Sequence, residues 1–148
     1  MTQGQGKRIF TIGSSNRNFQ EFLALLRVHK IAVVVDVRIF PYSERFPHFV
    51  KESLEENIPA SGLKYRYLGK ELGGYRKGGY EAYMGSSEFA KGVEALEAIG
   101  REERAAFMCS ERLPWKCHRR FIALELLNRG WEVVHIIESN RTWQPQSR

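Results

Sequence analysis

The segment AAFMCSERLPWKCHRR (residues 105–120) decides how this chain of 148 residues is expected to fold. Its first four residues are apolar and predict a buried strand, and the apolar spacing from Phe121 to Leu127 predicts a helix directly after the segment. Both cysteines of the chain, Cys109 and Cys117, lie between these two elements. A strand, a polar loop and the first turn of a helix, in this order, are where α/β proteins place their ligands.

The rest of the chain repeats this alternation of strand and helix. Further strands are predicted at residues 8–13, 31–35, 63–68 and 132–137. The second of these is a continuous apolar and mostly β-branched run, which is typical of a central strand covered on both faces. We therefore predict an α/β fold, a three-layer α/β/α sandwich with a mostly parallel sheet of about five strands.

Helix signals separate these strands. Asn18 and Glu21 form a capping box before an apolar helix face, and Pro47 lies near the first turn of a second predicted helix. Ser87 is expected to cap a third helix, and Gly100 is expected to end it.

Length and composition limit the class of protein. A chain of 148 residues is expected to form one domain, residues 1–148, with flexible tails at residues 1–7 and 139–148. Hydrophobic residues make up 43% and charged residues 27%, as in a soluble globular protein. No apolar run is long enough to cross a membrane, the start of the chain has no signal-peptide core, and two cysteines make no disulfide framework. We therefore expect a cytoplasmic protein without a membrane partner.

The net charge of +6 favours anionic partners, either a small anion or nucleotide or a nucleic acid. A modestly basic surface explains the same charge, because no long block of Lys and Arg is present. The glycine-rich stretch 73–80 carries tyrosines and cations that suit a base or a phosphate, although a plain flexible loop has the same composition.

Polar residues that follow the predicted strands are expected to meet, because the carboxyl ends of parallel strands open on one edge of a sheet. A helix start also favours an anion near Cys117, His118 and Arg119. The residues predicted to bind an anion at this edge are Gly13, Ser15, Arg38, Tyr42, Ser43, Arg76, Arg112 and Arg119. The predicted catalytic residues are Asp36, Cys109, Glu111, Cys117 and His118, which would serve a hydrolase or a transferase. For Asp36 and Arg38, the alternative is a structural ion pair or an ordinary strand end.

The two cysteines have three possible roles. One of them is a nucleophile with His118 or Glu111 as the acid or base, but the phosphatase spacing Cys-x5-Arg is absent, since Trp115 stands six positions after Cys109. A metal site is disfavoured by the Cys-x7-Cys-His spacing but is not excluded, and no cofactor is predicted. Core packing is the third role, and it suits Cys109 better than Cys117.

Several motifs together resemble the DUF488 family, and the resemblance spans about residues 9–137. These motifs are Ile12-Gly13-x-Ser15 with Phe19, Val35-Asp36-Val37-Arg38 with Pro41-x-Ser43 and Phe46, Leu72-Gly73-Gly74-x-Arg76, and Cys109-x-Glu111-x-x-Pro114-x-x-Cys117-His118-Arg119. The resemblance implies a small α/β domain of prokaryotes with no agreed activity. An enzyme, a non-catalytic nucleic-acid-binding module and a structural or interaction domain all remain open.

Overall fold

The computed structural model describes residues 7–145, and within them strands alternate with helices. The strands are β1 (Arg8–Gly13), β2 (Val33–Asp36), β3 (Lys64–Tyr67), β4 (Ala105–Cys109), β5 (Glu132–Glu138) and β6 (Arg141–Trp143). The α-helices are α1 (Phe19–Val28), α2 (Lys51–Ala60), α3 (Gly69–Leu72), α4 (Tyr80–Tyr83), α5 (Ser87–Glu102) and α6 (Arg119–Asn128). Short 3-10 turns at Pro47–Phe49 and Pro114–Lys116 complete the described part of the chain.

The strands form one sheet in the order β3-β2-β4-β1-β5-β6, in which only the pairing of β5 with β6 is antiparallel. Apolar residues of α1 and α2 pack on one face of this sheet. Apolar residues of α5 and α6 pack on the other face. This arrangement confirms the predicted α/β sandwich with a mostly parallel sheet.

Strand β2 shows why its sequence is continuously apolar. Val33 and Val35 belong to the core cluster beneath α5 and α6, whereas Val34 belongs to the cluster beneath α1 and α2. All three side chains are at most 1% exposed. A strand with helices on both faces has no solvent side, so every position favours an apolar residue.

The helix boundaries differ from the sequence prediction at three points. Ser86, not Ser87, caps α5, and its hydroxyl accepts a hydrogen bond from the Phe89 amide. Gly100 does not end α5, which continues to Glu102. The extended backbone of Val50 separates the 3-10 turn at Pro47–Phe49 from α2, so the predicted second helix is two elements.

The end of the chain also differs from the prediction. A flexible tail is expected from residue 139, but Arg141–Trp143 form β6 against β5. The ring of Trp143 stacks on the ring of His135, with 5.5 Å between their centroids. Three exposed residues carry no periodic signal, so only the pairing with β5 identifies this strand. Residues 1–6 and 146–148 of the predicted tails lie outside the described part of the chain.

Candidate functional site

The chain changes its direction of travel across the sheet between the neighbouring strands β1 and β4. After β1 it continues through β2 to the edge strand β3, whereas after β4 it continues to β5 on the opposite side. Ligands of open α/β sheets bind at the carboxyl ends of the strands beside such a reversal. Cys109 and Gly13 end these two strands, and Cys117 and the turn after Gly13 lie in the loops that leave this point.

The loops after β1 and β4 are joined to each other. The amides of Ser14 and Ser15 donate 2.8 Å hydrogen bonds to the carbonyls of Cys109 and Ser110. Gly13 lies so close to the Glu111 carbonyl that a Cβ atom at position 13 would collide with it. Gly13 therefore permits close packing of the two loops, and no exposed surface of it is available to a ligand.

The two cysteines lie in direct contact as free thiols. Their Sγ atoms are 3.0 Å apart. Cys109, at the end of β4, is 3% exposed, whereas Cys117 is partly exposed just before α6. The contact makes one sulfur a hydrogen-bond donor and the other an acceptor.

Their surroundings decide which sulfur carries the charge. The S–H of Cys109 lowers the pKa of Cys117 by donating to its sulfur, and Arg119 lowers it further against the opposing effect of burial. Burial, followed by the hydrogen bond to Cys117, raises the pKa of Cys109 well above its ordinary value. Cys117 is thus the thiolate of the pair and Cys109 is the protonated thiol.

Arg119 is completely buried and serves the protein's own atoms. Its amide and its Nε each donate to Cys117 Sγ at 3.4 Å. Nη1 donates to Thr11 Oγ1 at 2.8 Å, and Nη2 donates to the Glu111 carbonyl at 2.5 Å. Arg119 therefore holds the thiolate and the loop in place and presents no surface to a ligand.

His118 and Glu111, the predicted acid or base partners, do not contact a cysteine side chain through their functional groups. His118 Nε2 donates to the Val37 carbonyl at 2.8 Å, which leaves Nδ1 unprotonated beside Gly74. Burial lowers the pKa of His118, so the ring is neutral. Glu111 offers its backbone carbonyl to Arg119, whereas its side chain is exposed.

Asp36 and Arg38 form a closed network at the end of β2. Arg38 donates from Nε and Nη2 to the two carboxylate oxygens at 2.9 and 2.8 Å, and Tyr65 donates its hydroxyl to Oδ2 at 2.6 Å. Burial disfavours the charge on Arg38, but hydrogen bonding and attraction from Asp36 outweigh it and raise the pKa of Arg38. Asp36 is fully buried, so its carboxylate serves a structural ion pair.

A cavity of about 470 Å³ opens at the same edge of the sheet. The residues that line it come from the loops after β1, β2 and β4: Ser14, Ser15, Asn16, Arg38, Tyr42, Ser43, Arg45, Phe46, Phe49 and Ser110. Four predicted anion-binding residues, Ser15, Arg38, Tyr42 and Ser43, are among them. The five predicted catalytic residues are not, so the cysteine pair and the cavity are two separate features of this edge.

The remaining predicted anion-binding residues lie outside the cavity lining. Arg76 donates to the carbonyls of Gly73 and Lys70 and covers the ring of Tyr83. Arg112 forms an ion pair with Glu138. Both guanidinium groups are therefore occupied by other parts of the protein.

Sequence reasoning missed the aromatic cavity residues Phe46 and Phe49 and the polar cavity residues Ser14, Asn16, Arg45 and Ser110. Each of the four polar residues lies within two positions of a predicted residue in a loop at this edge. Their position in the loops is the one signal that would have included them.

Among residues 7–145, no group of three or more His, Cys, Asp and Glu side chains is placed to hold a metal ion. Within the same residues, no helix has the length and apolar character that crossing a membrane requires.

Comparison with known proteins gives one result. Residues 18–126 match the family model described as "Domain of unknown function DUF488". No curated protein and no solved structure matches the chain.

Proposed function

The chain belongs to the DUF488 family, and we propose that its cavity at the carboxyl edge of the sheet binds a small anion that carries a phosphate group. The cavity lies among the loops that leave β1, β2 and β4, beside the reversal of chain direction. Ligand sites of open α/β sheets occupy this position.

The observation that carries the proposal is the set of available donors in the lining. The Arg45 guanidinium lies over the Phe46 ring and, among the described residues, forms no hydrogen bond or ion pair. Within residues 7–145, the hydroxyls of Ser14 and Ser110 also form no hydrogen bond, and neither does Arg38 Nη1. The lining itself contains no carboxylate that would repel an anion.

The other side of the cavity favours an anion that also carries a ring. Tyr42, Phe46 and Phe49 supply aromatic surface, and the Tyr42 side chain is 69% exposed. Aromatic faces stack on bases, whereas an inorganic phosphate has no surface to place there. A nucleotide-like anion therefore uses both sides of the cavity.

Calorimetric titration of inorganic phosphate and of adenosine 5′-monophosphate tests this proposal. We expect the nucleotide to bind more tightly than phosphate, and Arg45→Ala to weaken both by roughly tenfold, because one charge-assisted hydrogen bond is lost. Arg66→Ala is the matched control, since it removes the same charge from an exposed side chain on β3. Absence of binding, or equal weakening by both variants, contradicts a specific site in the cavity.

A nucleic-acid-binding module is the second candidate, and an exposed aromatic group favours it. Phe40, Tyr42 and Tyr75 are 70%, 69% and 88% exposed, and the rings of Phe40 and Tyr75 lie 6.0 Å apart. Single-stranded nucleic acids bind to such aromatic faces next to cations.

The fluorescence anisotropy of a labelled oligothymidylate distinguishes this candidate from the first. A nucleic-acid-binding module requires oligothymidylate binding that weakens steeply with salt. Binding should be lost in Tyr75→Ala but retained in Leu124→Ala, which removes an exposed apolar side chain from α6. Binding that does not depend on salt rules this candidate out.

A further inference from the structure

The cysteine pair combines a partly exposed residue with a buried one. Cys117 is partly exposed, whereas Cys109 is 3% exposed, and their Sγ atoms are 3.0 Å apart. A disulfide bond is about 2.05 Å long, so an approach of roughly 1 Å would join the two sulfurs. A reagent from solvent therefore meets Cys117 first, and Cys109 stands behind it within reach.

Three donors stabilise negative charge on the sulfur of Cys117. Cys109 is placed to donate its S–H to Cys117 Sγ, and Arg119 donates from its amide and from Nε. Arg119 keeps this position through separate bonds to Thr11 and to the Glu111 carbonyl. The thiolate is the form of cysteine that attacks a disulfide, and a stabilised thiolate is also the better leaving group when the bond is reduced again.

We propose that the two cysteines carry out thiol–disulfide exchange with low-molecular-weight disulfides, with Cys117 as the attacking thiolate and Cys109 as the resolving thiol. This activity is additional to anion binding, because neither cysteine lines the cavity. The two activities can therefore fail independently of each other.

The reaction proceeds in two balanced steps. The Cys117 thiolate attacks one sulfur of a disulfide RS–SR, a bond forms between Cys117 Sγ and that sulfur, and RS⁻ leaves. Cys109 Sγ then forms a bond to Cys117 Sγ, and the bond between Cys117 Sγ and the remaining RS group breaks. The RS⁻ that leaves takes the proton of Cys109. The protein loses two electrons, the small disulfide gains them, and the products are the Cys109–Cys117 disulfide, one thiolate RS⁻ and one thiol RSH.

The same contacts predict that this disulfide is easily reduced. Only the reduced form contains the Cys117 thiolate, so the hydrogen bonds from Arg119 and Cys109 stabilise that form alone. Stabilising the reduced form makes a disulfide more oxidising. Excess reduced glutathione should therefore return the protein to the dithiol.

Oxidised glutathione is the probe that tests this inference, with acid quenching and mass spectrometry of the intact chain. We expect the wild type to lose two hydrogen atoms without a lasting adduct, and Cys109→Ser to accumulate a glutathione adduct at Cys117. In Cys117→Ser, the buried thiol that remains should react about 100-fold more slowly. The chain has only these two cysteines, so the intact mass distinguishes the dithiol, the disulfide and the adducts, and each single-cysteine variant has one site for an adduct.

A measurement on the wild type alone keeps the test independent of how the variants fold. Peptide mapping after a short exposure should find the first glutathione adduct at Cys117. An adduct that appears first at Cys109, a lasting adduct in the wild type, or two free thiols after prolonged exposure each overturns the proposal.

Discussion

Asp36 and Arg38, two residues apart at the end of β2, are joined by two side-chain hydrogen bonds of 2.8 and 2.9 Å. Arg38 Nη2 also donates to the Phe49 carbonyl at 2.7 Å. The pair therefore links the end of β2 to the turn before α2 and directs Arg38 along the cavity wall.

Replacing Asp36 should destabilise the protein strongly. Asp36→Asn leaves the Arg38 guanidinium buried without its counterion, and the expected loss is about 3–5 kcal/mol in the free energy of unfolding. Urea unfolding measures this loss. Glu55→Gln, which breaks the solvent-accessible Lys51–Glu55 pair, is the matched control and should cost less than about 1 kcal/mol. Equal losses in the two variants contradict the role of burial.

A methyl group at position 13 should separate the loops after β1 and β4. In Gly13→Ala the new Cβ meets the backbone of Glu111 and Arg112, which has no flexible end to move away. We expect a loss of about 1–3 kcal/mol in the free energy of unfolding. Gly85→Ala is the control, because its Cβ makes only an ordinary 3.5 Å contact. A stable Gly13→Ala protein would show that the loops are not packed as described.

His135 should make stability depend on pH. Burial, with a smaller effect from Arg119, lowers the pKa of His135 to about 3, and the neutral Nδ1 lies 2.5 Å from Thr11 Oγ1. The unfolded chain takes up a proton near pH 6.5, so the contribution is complete above that value and is lost as pH falls towards 3. Between pH 6.5 and pH 5 we expect a loss on the order of 1–2 kcal/mol.

Chemical unfolding at several pH values measures this slope. His135→Asn keeps an acceptor for Thr11 and removes the titrating group, so the difference between the two proteins isolates His135. Parallel slopes in the wild type and the variant would assign the pH dependence to other groups.

The Cys117 thiolate should be visible at neutral pH. The pKa of Cys117 is lowered, so its absorbance at 240 nm and its rapid labelling by iodoacetamide should persist well below pH 8.5, the approximate pKa of an ordinary thiol. Cys109→Ala removes the S–H donor and should shift the titration of Cys117 to higher pH. Ser110→Ala alters the next residue and should leave the titration unchanged. Slow, equal labelling of both cysteines contradicts a thiolate at Cys117.

The elements of the core were predictable because they depend on local patterns. Buried strands such as β2 and β4 are apolar runs, and the capping box of Asn18 and Glu21 is present as predicted. The grouping of the loops at the carboxyl edge of the sheet was predictable too, since parallel strands place their carboxyl ends together. Four of the predicted anion-binding residues consequently line one cavity.

Whether each charged group is buried or exposed was not predictable from local patterns. Arg119 begins α6 and Arg45 lies in the loop after β2, and both are at the carboxyl edge of the sheet. Arg119 is nevertheless buried against Thr11 and Cys117, whereas Arg45 is exposed in the cavity lining. The partners of Arg119 come from β1 and from the β4 loop, as far as 108 positions away in the chain. Such distances follow only from the order of strands in the sheet.

The sequence by itself determined the fold class, the alternation of the main strands and helices and the loops that form the carboxyl edge, because apolar periodicity and capping act over a few residues. Only the tertiary structure decided that the Asp36 carboxylate accepts hydrogen bonds from Arg38 and Tyr65, that Cys117 rather than Cys109 bears the charge, and that β6 pairs with β5. The physical reason is that burial and hydrogen-bond partners depend on residues far apart in the chain, which a local pattern does not specify.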